Sequence, residues 1–423
     1  MPPTIVKAHK AQDFLALVPQ LLGFYPETSA VLVAFRGNRT CGALRFNLPD
    51  DNAPQGVYKR ISTTIAGMLC KIPEVDGVVS VFYTDNSFSA VTGIPAEQFA
   101  EILNRRLELS GFCLRDSLCV AADSWGSYLD PECPAGGYPL SDIAESTVNE
   151  TALNETALNE TAAQKAPRPL GTLQNGAEPI TVDAAARDRL ARLYRRYHRV
   201  IVRAENTPQL FCSLEGVLDP VAIAESALEW PNPPADEDAA ALLVLVQSPP
   251  DRDQIMVQFA FGHEVGRRAH EMNERYATLQ HETGRSLEDL IAETIDSGED
   301  SAQRIGDIML GLQQERPDAQ RIRTAITLLR TVVALAPRAA RPAPLCMLAW
   351  LSWALGSGSV AGFFVDQALA INPSYSMASL LNLLLKSGHL PEWAFAVPQD
   401  GYEAPGTSAA GTSAAGQSAL GEG

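Results

Sequence analysis

Hydrophobic and polar positions alternate on two different periods along the chain, and the change of period divides it into unlike halves. Up to about residue 145 helical and strand patterns are mixed. Residues 13–22 (DFLALVPQLL) carry helical spacing, with Asp13 placed to cap the start and Pro19 placed to kink or break the helix. Ala30–Phe35 and Ala43–Leu48 are rich in strand formers and flank Gly37-Asn38, which predicts a hairpin. Val57–Cys70 is amphipathic at the helical period. Gly77–Tyr83 (GVVSVFY) is a continuous apolar run, the pattern of a strand covered on both faces. Pro95–Leu109 reads as a helix with proline near its first turn, and Ser117–Ala121 as a strand ending at Asp123.

Two stretches have no usable period. Residues 149–163 read NETALNETALNETAA, and a five-residue repeat fits neither a helix nor a strand, so Leu153 and Leu158 define no buried stripe. The tail, which includes GTSAAGTSAAGQSALGEG, is rich in Gly, Ser and Ala and is expected to be disordered. Between them nearly everything reads as helix, from 183–203 onward to 376–387, with Pro and Gly clusters as separators. Near the end, Ala334-Leu335-Ala336-Pro337 and Ala368-Leu369-Ala370-Ile371-Asn372-Pro373 place two prolines 36 residues apart behind similar small and large apolar positions. That is close to the 34-residue tetratricopeptide period, and two ordinary helical hairpins would give the same pattern. The predicted organisation is an α/β domain over 1–145, a linker over 146–179, a helical region over 180–315, tetratricopeptide-like hairpins over 316–400 and a disordered tail over 401–423.

Composition narrows the function classes. Hydrophobic residues at 46% are ample for a core, while a net charge of −17 sets the whole-molecule field against phosphate polymers and anionic membranes. The N-terminus has no apolar signal region, and no run of about 20 apolar residues occurs, so a soluble cytoplasmic protein is expected, without membrane contact. Seven scattered cysteines without a C-x-x-C fit a reducing compartment and encode no zinc ribbon. No cofactor and no metal are expected.

Candidate chemistry is sparse. Asp85 and Asp123 both follow predicted strands. If those strands are parallel neighbours, the two carboxylates face one crevice together with Ser127 and Tyr128, and Trp125 opens the loop to Pro139 beside them. Paired carboxylates can hold a hard cation or shift each other's pKa, yet both aspartates also suit plain turn positions. Ser127 has no G-x-S-x-G context, and Cys133 has no basic neighbour to activate it. His263 and His270 are seven apart, not the four of a zincin helix. Trp350 and Trp353 fall at i, i+3 on an apolar helix, a packing pattern. The sharpest charge feature is RDRLARLYRRYHRVIVR over 187–203. Arg192, Arg195, Arg196, Arg199 and Arg203 share one helical face, opposite Leu190, Leu193, Tyr194, Tyr197, Val200 and Ile201. Such a ridge binds phosphate or an acidic partner, or it is a solvated face paired with acids elsewhere in the chain.

Three stretches together resemble one family. Leu21-Leu22-Gly23-Phe24-Tyr25-Pro26-Glu27-Thr28-Ser29 is the first. Asp123-Ser124-Trp125-Gly126-Ser127-Tyr128 with Pro131-Glu132-Cys133-Pro134 is the second. Leu348-Ala349-Trp350-Leu351-Ser352-Trp353 running to Asn372-Pro373-Ser374-Tyr375 is the third. In this order they resemble the domain-of-unknown-function family 4192. Members usually carry a Gly-Arg-Trp-Trp-Ser-Tyr-like stretch followed by several cysteines. This chain keeps only Cys133 there, and the resemblance implies no reaction. The expected function is therefore a non-enzymatic interaction or regulatory protein that docks a protein partner through its C-terminal helices. The alternatives are an enzyme, such as a metal-dependent hydrolase, at the Asp85/Asp123 crevice, and a nucleic-acid accessory protein using the arginine ridge. The net charge of −17 weighs against nucleic acid.

Overall fold

Residues Ala11–Leu22 form α1, and a hairpin of β1 (Ser29–Arg36) and β2 (Arg39–Asn47) follows. Then come α2 (Gln55–Cys70), β3 (Gly77–Tyr83), α3 (Glu97–Leu109), β4 (Cys113–Val120), β5 (Ser124–Ser127), β6 (Tyr138–Pro139) and the short α4 (Ser141–Ala144). The strands make one sheet in the order β2-β1-β3-β4-β5-β6. Only β3 and β4 pair in parallel, because the crossover through α3 brings the chain back to the same end. The computed structural model describes residues 10–22, 24–146, 180–204, 219–296 and 300–395, so the pentad repeat and the C-terminal tail lie outside the described residues.

Burial explains the strand sequences. All of β3 is buried, and alternate residues of β1 and β3 serve two cores. Ala30, Leu32, Ala34, Val78 and Phe82 meet Tyr58, Ile65 and Leu69 of α2 and Phe99, Leu103 and Leu107 of α3. Val31, Val33, Val79, Val81 and Leu118 meet Leu15 and Val18 of α1, with Trp125 beside them. One polar cluster sits inside this layer and is satisfied. Asn104 donates from Nδ2 to Ser117 Oγ at 2.7 Å and accepts from Ser80 Oγ at 2.9 Å, and the two serine hydroxyls are 2.8 Å apart.

Two local expectations fail here. Of the kink or break expected at Pro19, the break does not occur; Pro19 is buried within α1, whose Leu15 and Val18 are anchored on the sheet. The stretch 125–139 is not all loop, since it contains the strands β5 and β6.

The second half is helical: α5 (Ala184–Ala204), α6 (Pro220–Ala227), α7 (Asp236–Leu245), α8 (Pro249–Phe261), α9 (His263–Thr283), α10 (Leu287–Asp296), α11 (Asp300–Leu310), α12 (Ala319–Leu335), α13 (Pro342–Ala354), α14 (Gly358–Ile371) and α15 (Ser376–Lys386). Asp219 and Asp318 cap α6 and α12 by accepting from free backbone N–H groups of the first turn. Successive helices α12 to α15 pack as neighbours, and α13 joins α14 through three residues. All thirteen residues of α13 are buried. It runs through the core between α8, α12, α14 and α15. Trp350 and Trp353 are core residues whose indole N–H groups donate to Met309 O at 2.9 Å and His389 O at 3.0 Å.

The halves touch. Arg45 on β2 donates to Ser29 Oγ at 2.7 Å and across to Ser359 Oγ on α14 at 2.9 Å. Lys71, just past α2, pairs with Glu392 at 2.9 Å and lies over the Phe395 ring. No helix among the described residues is long and apolar enough to cross a membrane.

Candidate functional site

The parallel pairing of β3 with β4 places the turns after both strands side by side, where Thr84 N donates to Val120 O at 3.0 Å and Ala122 N to Asn86 O at 3.1 Å. Asp85 and Asp123 lie in these turns, but their carboxylates serve different neighbours. Asp85 accepts from Thr28 Oγ1 at 2.9 Å, which ties the turn to the start of β1. Asp123 accepts from Phe88 N at 2.8 Å, Ser89 N at 3.3 Å and Ser89 Oγ at 3.1 Å. Desolvation pushes its carboxyl up, but these donors together outweigh it and hold the group below the usual carboxylate range. Both aspartates are spent as turn locks.

Ser127 and Tyr128 are successive residues and point to opposite sides of the sheet. Ser127 Oγ donates to Asp116 Oδ1 at 2.7 Å. Tyr128 is packed edge-on against Phe82, and its hydroxyl donates to Pro95 O. Burial first, and then the neighbouring Cys119, push that phenol well above its ordinary pKa, so it stays protonated. Burial likewise pushes the Cys119 thiol up to about 12. β-alternation thus splits Ser127 from Tyr128, while Asp85 and Asp123 are hydrogen-bonded within the two adjacent turns.

Two concavities border the sheet. A cleft of about 490 Å³ is lined by Trp125 and Ser127 of β5, Asp116, Asp130, Tyr138 and Arg115 among others. Trp125 packs on Tyr138 with ring centroids 4.8 Å apart and a 34° tilt, Tyr138 donates to Asp130 Oδ2 at 2.8 Å, and the buried Trp125 Nε1 has no acceptor among the described residues. No histidine lines it among the described residues, so Ser127 has no imidazole to take its proton. A smaller crevice of about 230 Å³, at the carboxyl end of β3, is lined by Asp51, Tyr58, Asn86 and Glu97 rather than by Asp85 or Asp123. Asp51 accepts from Asn86 Nδ2 across its rim. Sequence reasoning missed Asp51 and Glu97; the Asp50-Asp51-Asn52 turn after a strand was the available signal. Among the described residues no group of three or more His, Cys, Asp or Glu side chains could hold a metal ion. His270 instead faces Glu274 on its own helix at 3.5 Å.

The arginine face is the other candidate. Leu190 of α5 is fully buried, and Leu193, Tyr194 and Tyr197 pack against the helical core, so the apolar stripe anchors the helix as its spacing predicts. Arg192, Arg195, Arg196 and Arg199 are exposed on the opposite side and line a groove of about 800 Å³ with Tyr194 and His198. None of these four pairs with a carboxylate among the described residues. Arg199 Nε instead donates to Arg195 O at 3.2 Å. Arg189, three residues before Arg192 and seven before Arg196 on the same side of the helix, does pair, with Asp236 at 2.6 Å. The Arg203 side chain lies outside the described residues.

The fold and these sites define a two-part protein, a sheet sandwiched by helices joined to a larger helical body. The chain belongs to the domain of unknown function family DUF4192, whose family model matches residues 12–290 and 301–392. No curated protein and no solved structure matches it.

Proposed function

We propose that this protein is a non-enzymatic interaction protein and that its docking surface is the arginine face of α5. One observation carries the reading: four exposed arginines stand without carboxylate partners, among the described residues, in a chain of net charge −17. Where acids outnumber bases, internal pairing is the cheap outcome, as Arg189, Arg267 and Arg321 illustrate with Asp236, Glu264 and Glu225. A guanidinium ridge left open is suited to a partner's anions, since its forked donors match carboxylates in pairs. The sheet half supports the same reading, because its best candidate catalytic groups are engaged in turns or buried. The test is a photo-crosslinking residue introduced at position 196 in the native cells, with another at position 101 on α3 as control. Capture of a specific protein at 196 and not at 101 is expected. Equal capture at both positions, or none at 196, overturns the proposal.

A further inference from the structure

We infer that the partner element seated on this face is an acidic helix, carrying carboxylates at the three- and four-residue spacing of the arginines. The inference rests on the reading of α5 as a docking surface and adds the chemistry of its occupant. Arg192, Arg196 and Arg199 span seven residues, about 10 Å along the helix axis, and with Arg195 they cover roughly a quarter of its circumference. A second helix packed at about 8–10 Å presents Glu side chains at i, i+4 and i+7 over the same length and arc. An extended strand presents one-sided residues every ~7 Å and meets at most two of these arginines in register.

Charge selects against the other polyanion. A nucleic acid carries its charge far beyond the ridge and so meets the field of a chain whose net charge is −17. A short acidic helix confines its charge to the ridge, within about a Debye length of 8–10 Å, where the arginines dominate. Tyr194, partly buried against the core, and His198 border the same groove, their rings tilted at 43° with centroids 5.9 Å apart.

The experiment is fluorescence anisotropy of the full-length chain against three labelled probes. One is a stapled helical peptide with Glu at i, i+4 and i+7. The second has the same composition but a central proline. The third is a twelve-nucleotide uridine RNA. The helical peptide is expected to bind at about 50 mM salt and to weaken about tenfold by about 200 mM, as screening shortens the field. It should bind at least tenfold tighter than the proline peptide. The variant R192Q/R196Q/R199Q, which removes the charges but keeps polar side chains of similar helix propensity, should lose binding at least tenfold with an unchanged melting midpoint. Equal binding of the two peptides overturns the helical occupant, and tighter binding of RNA overturns the protein partner. Absence of peptide binding alongside specific crosslinking at position 196 sinks this inference alone. Absence of both sinks the docking surface itself.

Discussion

Arg321 grips Glu225 with both terminal nitrogens, at 2.7 and 2.9 Å, and so ties α12 to α6. Glu225 also accepts from Gln258 Nε2 at 3.1 Å, and Arg321 donates to Gln258 O, which draws α8 into the same knot. The Arg321 hydrogen bonds, outweighing partial burial, hold the Glu225 carboxyl below the usual glutamate range. A folded-state pKa below the unfolded one means stability that is complete above the ordinary value of about 4.3 and is lost as pH falls through the folded value. Glu225→Gln should therefore cost on the order of 1 kcal/mol at neutral pH, the pair being only partly shielded from solvent. Its urea-unfolding free energy should also fall less steeply than the parent's below about pH 4.3. Parallel pH curves for the two proteins would remove this pair from the acid response.

Gly311 ends α11 with φ +69, and a Cβ built there would stand 2.6 Å from Trp353 Cη2 and 2.7 Å from Pro391 Cβ. The backbone conformation and the contact both demand glycine. Gly311→Ala is expected to destabilise by about 2–3 kcal/mol, the sum of left-handed strain and overpacking. A denaturation midpoint equivalent to a loss under about 0.5 kcal/mol would show that the Trp353 neighbourhood yields freely.

Arg45 joins the two halves. It is partly buried, and desolvation lowers its pKa, with the nearby Glu27 opposing. The bond to Ser359 Oγ crosses from β2 to α14. A double-mutant cycle of Arg45→Met and Ser359→Ala should give a coupling of about 1 kcal/mol, the scale of a hydrogen bond to a charged donor. Additivity within ~0.3 kcal/mol would mean that the bond contributes nothing to holding the halves.

The elements with strong periods were legible from the sequence, and the tertiary use of single side chains was not. GVVSVFY declares a buried strand because every position is apolar or small, and α5 declares its buried stripe because Leu190, Leu193, Tyr194 and Tyr197 repeat at the helical period. The strands β5 and β6 are four and two residues long and include Gly, Ser and Pro, so no period exists to detect. Pro19 reads as a break until Leu15 and Val18 are seen anchoring the helix on the sheet. For the candidate sites the decisive facts are long-range. That Asp123 serves Phe88 and Ser89, that Ser127 meets Asp116, and that Arg189 finds Asp236 while Arg196 finds no acid are outcomes of packing that spacing does not contain.

The Ser80, Asn104 and Ser117 triangle offers the sharpest test of how the sheet layer is held. All three residues are buried, and each polar group is bonded to the others, so their hydrogen bonds contribute only modestly beyond what water would supply. Removing one member is different from removing all. Asn104→Leu removes one partner from each serine and leaves the two hydroxyls only each other in a dry layer between α3 and the sheet, and should cost about 2 kcal/mol, part of the desolvation penalty of under-satisfied groups. The triple variant S80A/N104L/S117A leaves nothing unpaired and fills the layer with carbon. It should recover at least about 1 kcal/mol relative to Asn104→Leu alone, although it departs further from the parent. Chemical denaturation of the parent, the single and the triple variant measures the difference directly. If the triple variant is less stable than the single one, the network contributes more than the sum of its desolvation costs, and the polar triangle stabilises the sheet in its own right.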